Sequence, residues 1–329
     1  MSARLRVWLA VGAASLAAAG TTVGVTLATR TPTPKTAAAS AKPRPGAPPL
    51  LLDLGVRTDP EAQALRRGSA LYDRGRRTAA RAIFAAHPSV EARVGAALAA
   101  WPSGFAALRE LADANPRSAL VQLELGLADF WRGDLAPARA AWRRAKTLAP
   151  DTLYAVRAGD FLHPELPIPD LPHFQPSFAS PPEVAKLGPP AQLAFLRAQA
   201  RTGGVRAKLL YGAALEKLYR PVSAEREFAA AARLAPDDAE AQVAAAVGLF
   251  DKDRPSRAFA RLGPLAKRFP HVATVRFHLG LLLLWLGQVP QARAQFRLAV
   301  AAGPHSTLGR EASLFLQRLR KVGSNGSGR

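Results

Sequence analysis

The run LGLADFWRGDLAPARAAWRRAKTLAP (residues 125–150) returns as LGLLLLWLGQVPQARAQFRLAVAAGP (residues 279–304), and the architecture follows from this pairing. Leu125-Gly126, Gly133, Ala138, Trp142, Ala145 and Pro150 answer Leu279-Gly280, Gly287, Ala292, Phe296, Ala299 and Pro304 one for one. The closing prolines continue the pattern outward. Pro116 and Pro150 are 34 residues apart, and so are Pro236, Pro270 and Pro304 in succession. A fixed period of that size marks a helix–turn–helix array, because one helix pair cannot bury its apolar face alone and its neighbours must stack on it. Residues 205–238 fit the frame through Tyr211-Gly212, Ala224, Phe228, Ala231 and Pro236; residues 239–272 fit it more weakly through Ala246, Ala258, Leu262, Leu265 and Pro270.

Each residue type has a physical reason. Gly126, Gly212 and Gly280, with Ala138, Ala224 and Ala292, are small where two helices must cross closely. Gly133 and Gly287 can take the positive φ that ends many helices, and each proline stops continuation of the helix before it.

These residues and spacings resemble the tetratricopeptide repeat family over residues 61–322. The resemblance implies an all-α, right-handed superhelical solenoid. It also implies a non-catalytic scaffold whose inner surface, made by the first helix of each repeat, binds an extended peptide or a helix of a partner protein. The matching positions are Leu123, Leu127, Phe130 and Trp131 in one repeat and Phe277, Leu281, Leu284 and Trp285 in another. Being apolar, they suit an apolar or amphipathic helical ligand, although apolar stripes at helical spacing are also what a core requires. Family members that clamp a C-terminal carboxylate use Lys, Arg and paired Asn on first helices. Here the only asparagines are Asn115 and Asn325, both outside first helices.

The edges are less regular. Residues 61–88 read as a first unit (Gly68, Gly75, Ala80, Phe84), and residues 89–118 as a shortened one broken by Pro102-Ser103-Gly104. One unit is interrupted, with a first helix at 152–163 and a second at 190–202. The insertion 164–189 carries eight prolines, so it is not helical, yet Leu166, Ile168, Leu171, Phe174 and Phe178 want burial. It reads structurally as a strap packed over the solenoid; the functional reading is that it covers, mimics or completes the ligand groove. This divides the repeats into 61–163 and 190–322, the latter closed by a capping helix, 307–322. A disordered tail, 323–329, is expected to follow.

Ahead of the repeats, Arg4 and Arg6 precede an uncharged run, residues 7–29. As a helix it would be about 35 Å long, enough for a bilayer core of about 30 Å. Segment 1–29 therefore reads as a transmembrane signal anchor, or as a signal peptide cleaved near Ala17-Ala18-Ala19, with the solenoid outside the cytoplasm or secreted. Residues 30–60 read as a Pro/Ala-rich linker. Up to residue 50 it has no acid and no aromatic, and it should form a semi-extended, unpacked tether.

The chain has 329 residues, 49% hydrophobic, with a formal net charge of +21. The charge favours an acidic partner surface, and a polyanion (cell-wall polymer, anionic lipid or nucleic acid) is the alternative ligand class. Arg132, Arg139, Arg143, Arg144 and Lys146 form the candidate basic surface; a solvated helix face is the plainer account of them. Nucleic acid is not expected, since no aromatic-interleaved binding module accompanies these residues. The absence of cysteine excludes disulfides and thiolate chemistry. No HExxH, GxxxxGK or GxSxG motif occurs, so no metal, cofactor or catalytic residue is expected.

Overall fold

The computed structural model describes residues 42–326. The expected membrane segment 7–29 and the start of the linker lie outside the described residues. No described helix is long and apolar enough to cross a membrane.

Every regular element among the described residues is a helix. The helices divide into two compact units: residues up to Pro150 with Arg157–Glu165, and Asp151–Val156 with everything from Leu166. In the first, α1 (Pro60–Asp73) pairs with α2 (Arg77–Ala85), α3 (Val90–Ala99) with α4 (Phe105–Ala114), and α5 (Ala119–Arg132) with α6 (Leu135–Leu148). The division falls inside α7 (Leu153–Leu162). In the second, a single turn, α8 (Pro182–Ala185), precedes α9 (Pro189–Thr202). There α10 (Val205–Lys217) pairs with α11 (Pro221–Leu234), α12 (Ala239–Val247) with α13 (Ser256–Arg268), and α14 (Ala273–Trp285) with α15 (Val289–Ala302). α16 (Thr307–Gly326) packs on the last pair.

Within each hairpin the repeat residues interlock. A Cβ on Gly126 would stand 2.5 Å from the Trp142 ring, one on Gly212 2.3 Å from Phe228, and one on Gly280 2.7 Å from Phe296. The first-helix glycine is therefore the socket for the second-helix aromatic, and Trp142, Phe228 and Phe296 are fully buried. Deleting such a ring costs about 3–5 kcal/mol in well-packed cores.

The turns are built alike. Gly133 (φ 94°) and Gly287 (φ 74°) end α5 and α14 in the left-handed region. The amides that follow, Asp134 and Gln288, reach back to Asp129 and Leu283. At the same register Tyr219 adopts φ 58°, and Arg220 N–H bonds to Leu215 O at 2.9 Å. The turn geometry is thus imposed by the hairpin even where the sequence supplies no glycine. The weakest repeat by sequence is also the least regular: α12 is short and α13 contains Pro264.

Two expectations are corrected. The linker is not an unpacked tether throughout: Pro48, Leu50 and Leu54 are buried, because the apolar run that follows its prolines finds a face of the first unit. The tail does not leave the helix at Gly323; α16 continues to Gly326, there being no proline to stop it.

Candidate functional site

Each unit holds an extended, proline-punctuated segment of its own chain across the first helices of its hairpins. In the first unit this strap is residues 44–54. Arg44 N–H donates to the Trp131 carbonyl at 2.7 Å, and its guanidinium lies 3.8 Å over the Phe130 ring. Tyr72 Oη donates to Pro48 O at 2.6 Å. Leu51 N–H donates to Glu124 Oε1 at 2.7 Å. Tyr72 belongs to α1, and Glu124, Phe130 and Trp131 to α5. Both are first helices.

In the second unit the strap is residues 166–178. Phe174 N–H donates to Glu216 Oε2 at 2.7 Å, and Gln175 N–H donates to His278 Nε2 at 2.9 Å. The Phe174 ring stacks on His278 at 5.1 Å and meets Phe228 edge-on at 5.3 Å. Ser177 Oγ donates to Glu240 Oε2 at 2.7 Å, and its N–H reaches the same carboxylate. Trp285 Nε1 donates to Asp170 O at 3.1 Å, while Lys252 Nζ donates to Ile168 O at 2.9 Å. Glu216, Glu240, His278 and Trp285 lie on α10, α12 and α14, again all first helices.

Electrostatics follow from burial. Glu124 and Glu216 are buried, and desolvation raises both well above the usual carboxylate range, against the opposing effect of the amide each receives. His278 is lowered to about 4, chiefly by burial. Its Nδ1 lies 2.7 Å from Thr274 O, so Nδ1 carries the proton and Nε2 presents a lone pair to Gln175. An extended segment cannot satisfy its own amides, and these first helices supply the missing acceptors.

The eight apolar positions named from the sequence divide. Leu123, Leu127, Phe277, Leu281 and Leu284 are buried in the helix cores. Phe130, Trp131 and Trp285 meet the straps through a ring face, a carbonyl and an indole N–H. Of the basic residues, Arg132, Arg139, Arg143 and Arg144 are exposed and Lys146 is half-buried. Arg132 lies 4.1 Å over Phe105 and Arg144 Nε donates to Gln122 Oε1 at 2.9 Å. Glu124 and His278 were not singled out from the sequence, although each interrupts an otherwise apolar helix face (LELG, FHLG). Among the described residues no group of His, Asp and Glu is placed to hold a metal ion.

No family model and no curated protein matches the chain. Among solved structures it is similar to YrrB, a TPR protein with an unusual peptide-binding site, at 16% identity and a TM-score of 0.30, covering 64% of this chain and 98% of that one. It is similar to a tetratricopeptide repeat protein from Parabacteroides merdae at 13% identity and a TM-score of 0.31, covering 79% and 98%. A third is the TPR2AB domain of yeast Sti1 in its pHSP90 complex, at 12% identity and a TM-score of 0.30, covering 79% and 98%. The all-α helix-hairpin fold stands on the chain's own hairpins rather than on these likenesses.

Proposed function

We propose that this chain is a non-catalytic protein-interaction scaffold, held at a membrane by residues 7–29, whose first-helix faces clasp extended, proline-punctuated segments of a partner protein. One observation supports the reading above the others. The backbone amides of Leu51, Phe174, Gln175 and Ser177 are received by side chains of first helices, and three of those acceptors, Glu124, Glu216 and His278, are buried. A buried acceptor aimed at an extended segment that no sheet pairs is what clasping a peptide backbone requires. The built-in straps support a ligand of the same kind: prolines that keep the chain extended, apolar side chains between them, and an Arg that stacks on Phe130. An extended ligand fits this reading better than a helical one.

The test is direct binding of synthetic peptides to the full chain. A peptide of residues 42–56 should bind the Leu50→Ala/Leu54→Ala variant, whose own strap is loosened, at least tenfold tighter than the unaltered chain. An amphipathic helical peptide should not distinguish the two. Equal binding of both peptides to both proteins overturns the proposal.

A further inference from the structure

A second site lies in the first unit, sharing no residue with the strap contacts. A cleft of about 500 Å³ opens between α4, α5 and α6, within the roughly 300–1,000 Å³ span of small-molecule sites. Its walls include Arg109 and Phe105 from α4, Asp129 and Arg132 from α5, Asp134 from the turn and Arg144 from α6.

Asp129 is the anomaly. It is only 8% exposed, yet its carboxylate makes no hydrogen bond or ion pair among the described residues. Such a group costs free energy unless something pairs with it. Position in the repeat sharpens the point. Asp129 lies three residues after Gly126; the residues three after Gly212 and Gly280 are Leu215 and Leu283. The tetratricopeptide pattern places Tyr there. A large side chain has been exchanged for a short carboxylate, and the cleft is in front of it.

The surrounding arginines act on Asp129 through their field, but none makes a direct ion pair with it among the described residues. Arg132 is engaged with Phe105 at 4.1 Å and with Asp134 at 3.5 Å. Arg144 uses Nε on Gln122, and its Nη atoms donate to nothing among the described residues. Arg109 is exposed and makes no ion pair among the described residues. Burial, with Asp134 nearby, pushes Asp129 up to about 6 against the opposing field of Arg132, Arg109 and Arg144, so a cation arriving in the cleft would bring it fully to its charged form. The cleft's other acids are the exposed Asp113 and Asp134, which pairs with Arg132; one buried anion and two guanidiniums without a direct carboxylate partner among the described residues ask for a ligand with an ammonium at one end and an anion at the other.

We propose that this cleft binds a small zwitterion of amino-acid or dipeptide size, its ammonium on Asp129 and its carboxylate on Arg109 and Arg144. Calorimetric titration of the full chain with L-alanyl-L-alanine tests it, beside N-acetylated and C-amidated forms of the same dipeptide. Saturable binding is expected for the free dipeptide, at least tenfold weaker when either end is capped. The Asp129→Leu variant, which restores the residue of the sister repeats, should lose binding while melting no lower than the unaltered chain. Asp129→Asn, which keeps the shape and removes the charge, should bind at least tenfold more weakly. Equal affinity for the capped forms, undiminished binding by Asp129→Leu, or no saturable binding at all overturns the proposal.

Discussion

Glu124 and His278 stand at the same register of their repeats, two residues before the socket glycines Gly126 and Gly280, and each accepts a backbone N–H from an extended segment: Leu51 at 2.7 Å and Gln175 at 2.9 Å. One is an acid and the other an imidazole. In these two repeats the register supplies a buried lone pair and not a particular charge, whereas the repeat of Gly212 has Leu210 there. A position that does the same task twice with different chemistry belongs to the strap-holding face and not to the core.

That equivalence makes the strap of the second unit separable from its hairpins. His278→Ala removes the acceptor for Gln175 and the ring under Phe174, while Phe277, Phe296 and Phe315 still pack on one another. Stability should fall by about 1–3 kcal/mol, the range for stranding a buried donor. Limited proteolysis should then cut within residues 164–180 before it cuts any helix. Simultaneous loss of all helical signal would show that strap and hairpins form one cooperative core.

The pH dependence has two limbs of opposite sign. His278 is lowered from 6.5 to about 4, so the folded state favours the neutral ring. That contribution is complete above pH 6.5 and is lost as pH falls toward 4; on these values it amounts to about 3 kcal/mol. Protonation would also aim an N–H at the Gln175 amide, two donors facing each other. Glu124 and Glu216 run the other way. Their raised values mean that the folded state favours the neutral acid, a contribution complete below about pH 4.5 and lost as pH rises through the folded values. Denaturant unfolding across this range should show stability falling on both sides of a mildly acidic maximum. His278→Ala should flatten the acid limb alone; an unchanged acid limb would remove His278 as its cause.

The hairpins were legible because their signals are local. Gly126 and Trp142, or Gly280 and Phe296, are sixteen residues apart within one repeat, and the proline ladder sets the frame. The straps were not, because nothing local fixes them. Leu51 meets Glu124 across 73 positions and Gln175 meets His278 across 103. An amide in an extended segment carries no sequence signature of its acceptor. The signals that did exist were a buried polar residue inside an apolar helix and the Leu50–Leu54 run at the end of a proline tract. The first resembles an ordinary surface residue, and the second resembles the end of a tether. Leu123, Leu127 and Phe277 show the converse: an apolar first-helix position is read equally well as groove or as core, and packing put these three in the core.

Salt separates peptide clasping from the polyanion alternative. Arg139 and Arg143 are exposed, so a polyanion could reach them, and its capture would release counterions. Neutralising several phosphates that way loses about 10³-fold or more in affinity between about 50 and 200 mM salt. The strap contacts of the clasped segment are different in kind. Leu51, Phe174 and Gln175 present neutral amides to buried acceptors, where screening by mobile ions is weak. Binding of the 42–56 peptide to the Leu50→Ala/Leu54→Ala variant should therefore change by less than about threefold over the same salt range. Arg139→Ala/Arg143→Ala should leave it unaltered. A steep salt dependence that disappears with those two arginines would move the ligand site from the first-helix face to the outer surface of α6, and the scaffold would be a polyanion receptor.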